Sequence, residues 1–240
     1  MASRAPTSIK AFPVVSTGML RPGFTVAVLA LTAACAQPPD AIPTPMEPSA
    51  SGPVQVNPSN IKRVRGELPA DYEIADVTGQ GSPAGFWGFG VGWTADPPRC
   101  AALVNPAGVD AGTAQGVSGS GDGGIVYAVV AAAPAPVLLD PALIADCGQW
   151  TMTLGRSTAG VNLIDAPRIE GVDTVGMASD TRTFVEAGTE TASRALTFTA
   201  YLGDYFAFVT QITDPGSPHP PLQPQFAADL LVKTVSALRG

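Results

Sequence analysis

The chain has 240 residues, with 13 Lys and Arg against 20 Asp and Glu, a net charge of −7, three cysteines and one histidine. No Lys/Arg cluster interrupts the body of the chain, which argues against nucleic acid as a partner, because that affinity comes mainly from neutralising phosphates. It argues equally against docking of the folded part on anionic lipid, and acidity of this kind commonly serves solubility alone.

The first element is Phe24–Ala34 (FTVAVLALTAA), an uncharged apolar run behind Arg21, Lys10 and Arg4. A basic flank, a short apolar core and small residues before a cut define a secretory signal. Eleven helical residues cover roughly 17 Å against a hydrocarbon thickness of about 30 Å, so the run is too short to span a bilayer. It ends in Leu31-Thr32-Ala33-Ala34-Cys35. A cysteine there reads as a bacterial lipoprotein signal, with Cys35 the acylated first residue of the mature protein. A diacylglycerol supplies the two chains that stable anchoring needs. Met19-Leu20-Arg21 makes a more usual beginning, so Met1–Gly18 reads as an over-extended gene start. Thr32 stands where Leu is commonest in such signals. The expected organisation is therefore a signal peptide over 1–34, a lipidated proline-rich stalk over 35–59, and one folded domain over 60–240.

The stalk carries Pro38, Pro39, Pro43, Pro45, Pro48, Pro53 and Pro58. That composition gives an extended, solvated spacer. The remainder is long enough to bury a real core. With Cys35 lipidated, Cys100 and Cys147 are the pair left to bond, and outside the cytoplasm a disulfide is the default. It would close a loop of about 48 residues, worth about 4 kcal/mol by chain entropy.

Along the folded part, Tyr72–Val77 alternates as a strand. Ser82-Pro83 opens a short helix through Phe86 and Trp87. Pro97-Pro98 breaks the chain, and Cys100–Val104 is one helical turn. Gly112–Ser118 and Ile125–Ala131 read as a hairpin turning at Asp122-Gly123, a pair suited to positive φ. Asp140-Pro141 starts a helix within Leu139–Asp146. Gln149–Leu154 and Val161–Ile164 read as strands, and Val172–Met177 with Arg182–Val185 as another pair. The clearest hairpin joins Ala195–Tyr201 to Tyr205–Ile212 through Leu202-Gly203-Asp204. Gln223–Leu238 places Phe226, Leu230, Leu231, Val235 and Leu238 on a helical stripe that packs on the sheet. Hairpins with few helices predict an α+β fold, with a central, mostly antiparallel sheet, a C-terminal helix on it and one disulfide.

Catalytic chemistry finds little support. His219 lies in Pro218-His219-Pro220-Pro221, a poor mount for an imidazole that a third group must hold. Gly116-Val117-Ser118-Gly119-Ser120 misses the nucleophile elbow, because Ser120 stands where Gly is required. Gly119–Gly124 contains a formal G-x-G-x-x-G, but Ile125-Val126-Tyr127 follows it where a helix should begin, so it reads as a hairpin turn. Asp71, Glu73 and Asp76, and likewise Asp165, Glu170 and Asp173, lack the order of a calcium loop and read as turns and solvated faces. Two cysteines and one distant histidine do not make a zinc site. No catalytic residue, metal or cofactor is expected.

The most suggestive segment is Phe86-Trp87-Gly88-Phe89-Gly90-Val91-Gly92-Trp93. Rings among glycines suit a groove for a lipid, glycan or peptide, or else core packing near Cys100, which is the favoured reading. Phe86, Trp87, Phe89 and Trp93 are the candidate ligand-binding residues if the groove exists.

Leu68-Pro69-Ala70-Asp71-Tyr72, Trp87-Gly88-Phe89-Gly90, Ala95-Asp96-Pro97-Pro98-Arg99-Cys100 and Ala200-Tyr201-Leu202-Gly203-Asp204 together resemble a group of uncharacterised mycobacterial lipoproteins. These are similar in turn to the extracellular sensor domain of the PknH serine/threonine kinase. Sparse lysine (Lys10, Lys62 and Lys233) fits a GC-rich genome. The resemblance spans roughly Leu68 to Gly240. It implies an α+β domain with a central antiparallel sheet, disulfide staples and a ligand cleft. The kinase sensor has two disulfides where this chain can form one, and no kinase domain is present here. The expected protein is a lipoprotein on the outer face of the cell membrane, with a non-catalytic domain for an envelope lipid, glycan or peptide. The alternative is a module that docks a partner protein or a sensor kinase, and a hydrolase-type enzyme comes third.

Overall fold

The computed structural model describes residues 55–185 and 188–240. The expected signal segment, Cys35 and the stalk as far as Val54 lie outside the described residues. The described residues begin just ahead of Asn60. Asn57 caps a 3-10 helix, Pro58–Glu67, by accepting the Ser59 N–H on its side chain at 3.1 Å. The Asn57 backbone N–H donates to the Leu238 carbonyl at 2.8 Å, which ties the start of the domain to its last helix.

Among the described residues, nine strands form a single sheet. They are β1 (Glu73–Thr78), β2 (Thr94–Asp96), β3 (Gln115–Gly121), β4 (Gly124–Ala132), β5 (Gln149–Leu154), β6 (Ser157–Ile164), β7 (Asp173–Phe184), β8 (Glu190–Tyr201) and β9 (Tyr205–Thr213). Their order is β1-β3-β4-β9-β8-β7-β6-β5-β2, and every neighbouring pair is antiparallel. The helices are α1 (Pro83–Phe86), α2 (Pro141–Asp146) and α3 (Pro224–Arg239). The α+β expectation, with its antiparallel sheet and C-terminal helix, matches this architecture.

Because side chains alternate across a strand, β4 divides its apolar residues between two cores. Val126, Ala128 and Val130 face α3 and the first 3-10 helix, where they meet Ile61, Val64, Ala227, Leu230, Leu231, Val235 and Leu238. Val129 and Ala131 face the other way, into a core with Trp87, Phe89, Leu103, Trp150, Met152, Met177, Phe206 and Phe208. Among the described residues, that second face carries no long helix. It is roofed by α1, α2 and a 3-10 helix, Pro98–Leu103. The Cys100–Cys147 disulfide joins this 3-10 helix to the end of α2, and both cysteines are fully buried. Arg99 and Asp146, each beside one of those cysteines, form an ion pair over it, with Asp140 at 3.7 Å.

Several boundaries differ from the sequence reading. Val172–Met177 and Arg182–Val185 are not a pair of strands but fall almost wholly within one strand, β7, whose neighbours are β6 and β8. The middle of β7 was obscured because its buried positions there are Ser179 and Thr181, not aliphatic residues. The first half of β6 and the three-residue β2 carry too few apolar side chains to register. Gly112 belongs to a short 3-10 turn, Ala111–Thr113, capped by Asp110, and β3 begins after it.

Candidate functional site

The aromatic segment begins where Ser82 caps α1, its hydroxyl accepting the Ala84 N–H at 3.3 Å. Glycines at positive φ, Gly88 and Gly92, both at 91°, then fold the chain back over the sheet. Trp87 and Phe89 are each 2% exposed. The Trp87 indole N–H donates to Thr197 Oγ1 at 3.1 Å and Thr210 Oγ1 at 3.3 Å. Those two threonines pair directly across β8 and β9, and their hydroxyls meet at 2.6 Å. Trp87 is thus a hydrogen-bonded post of the core. Phe86 is half-buried, stacked at a tilt on Tyr127 with ring centroids 4.3 Å apart and on Phe208 at 5.8 Å. Burial pushes the Tyr127 hydroxyl up from its ordinary pKa. The four candidate rings do not share one groove. Phe86 and Trp87 border a hollow of about 350 Å³, whereas Phe89 and half-buried Trp93 border another of about 570 Å³ with Gln80, Ser82 and Asn105.

A cavity of about 660 Å³ lies elsewhere, at the end of the sheet where β3 turns into β4, β8 begins and β9 ends. The loop 214–222 that leads into α3 forms its outer wall. Asp122, Arg194, Asp214 and His219 line it, with Ile125, Ile212 and three prolines as apolar surface. Ser193 and Asp214 belong to this cavity and to the Phe86 hollow alike, so the two join as one trough. The floor of the smaller part is a hydroxyl patch. Thr181 pairs with Ser193 and Thr183 with Thr191 across β7 and β8, which puts all four on one face. Ser157 adds a fifth hydroxyl, bonded to that of Thr183 at 2.8 Å.

The glycine run Gly119–Gly124 is explained by close packing. A Cβ on Gly121 would stand 2.4 Å from the Tyr72 ring, and one on Gly124 would stand 2.3 Å from the Ile212 carbonyl oxygen. The positive φ of the turn falls on Gly124 (115°), just beyond Asp122-Gly123. The run is a hairpin with strands on both sides, so it does not form a nucleotide fold. Burial raises the Tyr72 pKa, the Gly123 backbone opposes the shift, and Asp71 and Asp122 add to it.

The titratable groups of the trough each have a partner close by. His219 Nδ1 lies 3.5 Å from Asp122. Arg194 Nε donates to Asp180 at 2.7 Å, and Asp214 accepts the Gly216 N–H at 2.7 Å. The Ser217 hydroxyl accepts the His219 backbone N–H at 3.2 Å, and among the described residues it donates no hydrogen bond to the imidazole. Asp71 and Glu73 are exposed, Asp76 pairs with Arg65, and Asp165, Glu170 and Asp173 are exposed. Among the described residues no group of three His, Cys, Asp or Glu side chains is placed to hold a metal.

A family model described as a domain of unknown function, DUF5642, matches residues 57–239. The chain belongs to the DUF5642 family. Among curated proteins, none matches it. Of solved structures, the chain is similar to an uncharacterized protein from Mycobacterium smegmatis described as the Rv0999 ortholog. That match has a TM-score of 0.58 and 17% identity, over 78% of this chain and 98% of the other. At that identity the likeness shows the DUF5642 chain's fold alone. A weaker similarity, TM-score 0.37 and 15% identity, over 76% and 93% of the two chains, is to the extracellular domain of PknH from Mycobacterium tuberculosis.

Sequence reasoning missed Ser193, Arg194, Asp214 and the threonines of β7 and β8. The alternation Thr181-x-Thr183 and Thr191-x-Ser193 was the available signal. Its meaning depends on the β7–β8 register.

Proposed function

We propose that this chain is a lipid-anchored, extracytoplasmic, non-catalytic binding domain, held at the outer membrane face through Cys35, that takes a small envelope molecule in the sheet-end trough. One observation carries the reading. The trough is built from five strands, a tight hairpin and a proline-rich loop, its larger part falls in the size range of ligand sites, its arginine is held by Asp180, and His219 lies beside Asp122. A buried disulfide supports an oxidising compartment. The stalk supplies the spacer between anchor and domain.

A second reading, a module that docks a partner protein, draws on Phe184 and Val185, two exposed apolar residues in sequence where β7 ends. Trp87 borders the trough, so occupancy should change its emission. The experiment is a fluorescence titration of the detergent-solubilised full chain with aqueous and organic fractions of its host's envelope. A saturable change that Trp87→Phe abolishes supports the ligand site. No response to any fraction refutes it.

A further inference from the structure

We propose that the trough is a glycan site, and that its ligand is a short, neutral, polyhydroxylated chain lying across the Ser193–Asp214 saddle. This rests on the reading of the trough as a ligand site and names the chemistry it selects.

Four observations converge. First, the floor is a two-by-two array of hydroxyls, Thr181 facing Ser193 and Thr183 facing Thr191, and among the described residues Thr181 and Ser193 spend theirs on no side-chain hydrogen bond. A hydroxyl both donates and accepts, so such an array matches sugar hydroxyls in either sense. Second, Phe86 stands at the same hollow, held in place by Tyr127 and Phe208. A fixed ring offers an apolar face for the C–H side of a sugar, while the hydroxyls take its polar edge. Third, among the described residues no lysine lines the trough and its one arginine is already paired. Arg194 is bound to Asp180, and His219 sits beside Asp122. An anionic headgroup would therefore meet two lining carboxylates, Asp122 and, at the saddle, Asp214. Asp214 itself suits a sugar, since a carboxylate can accept two hydroxyls at once.

Fourth, the fold argues against a peptide taken up as an added strand. A peptide captured by strand addition needs an unpaired sheet edge. The strands at the trough, β3, β4, β9, β8 and β7, are all paired on both sides.

The test titrates detergent-solubilised full chain by calorimetry with neutral trisaccharides of arabinose, galactose, mannose, glucose and N-acetylglucosamine. A phosphorylated hexose, a fatty acid and an alanine-rich tripeptide serve as comparison arms. The expected result is saturable binding of at least one neutral trisaccharide, weakened at least tenfold by Ser193→Trp, which fills the saddle. Thr191→Val, an exposed isosteric change, should weaken it severalfold and keeps the test open if Ser193→Trp fails to fold. Binding that neither variant affects would overturn the glycan site. So would binding of the phosphosugar, fatty acid or tripeptide alone, although loss of that binding in Ser193→Trp would leave the ligand-site reading standing. Silence from every probe overturns the glycan proposal.

Discussion

Removing the disulfide tests the account of stability at the face that carries the aromatic segment. Cys100 and Cys147 are 47 residues apart and both wholly buried. Opening that loop restores entropy to the unfolded chain worth about 4 kcal/mol. Alanine is the right replacement, because serine would also bury two hydroxyls among apolar neighbours. For a domain of this size, each kcal/mol lowers Tm by about 2–4 °C, so Cys100→Ala/Cys147→Ala should melt roughly 10 °C earlier. The assay is urea denaturation followed by circular dichroism, with calorimetry for Tm. Since both sulfurs are shielded, reductant should act on the native wild type only as fast as the domain unfolds. A loss of less than about 1 kcal/mol in the double variant would refute the reasoning, as would immediate reduction of the folded protein.

Other changes test particular contacts. Trp87→Phe should cost about 1–3 kcal/mol by removing the donor to Thr197 and Thr210, and Trp87→Ala about 3–5 kcal/mol by opening a cavity, both read from denaturation midpoints. Gly124→Ala combines a φ of 115° with a Cβ driven against the Ile212 carbonyl and should cost more than about 2 kcal/mol. Gly88→Ala, at a φ of 91° with open space around it, should cost about 1 kcal/mol, and equal losses at the two glycines would contradict the packing explanation. Burial, with Asp173 adding to it, pushes the Tyr201 hydroxyl up to about 12 against an opposing hydrogen bond from Thr199. The folded state therefore holds that proton where the unfolded chain has released it. Stability from this group is full below pH 10 and falls as pH rises from 10 toward 12, by roughly 2–3 kcal/mol in total. Stability measured across that range should decline less in Tyr201→Phe than in the wild type.

What the sequence disclosed follows from where apolar periodicity was strong. The β8–β9 hairpin, β4 and α3 bury Phe198, Phe206, Phe208, Val129, Leu230 and Leu238, and alternation or a helical stripe announces each. Where burial falls to small or polar residues the signal fades. Ser179 and Thr181 are buried in mid-strand, so β7 looked interrupted and its true neighbours went unseen. The caps were legible for a different reason, since Ser82 and Asp140 each precede a proline that can only open a helix.

The trough was hidden by its construction. Gly119–Gly124 and His219 each drew notice as motifs, and each is poor chemistry alone. Only the fold brings Asp122 to His219, 97 positions apart, and sets Ser193 and Asp214 between that pair and Phe86. The aromatic segment was conspicuous because its rings are consecutive, yet the backbone turns at Gly88 and Gly92 send those rings to different places. Clustering in sequence therefore said less about the site than pairing across strands.

The most direct test of the central claim, that the sheet-end trough holds an envelope ligand, is native mass spectrometry of the full chain purified from its own host, wild type beside Ser193→Trp. The account predicts a discrete added mass, beyond any lipid on Cys35, on the wild type and its loss from the variant. The same adduct on both proteins, or none on either, would contradict it.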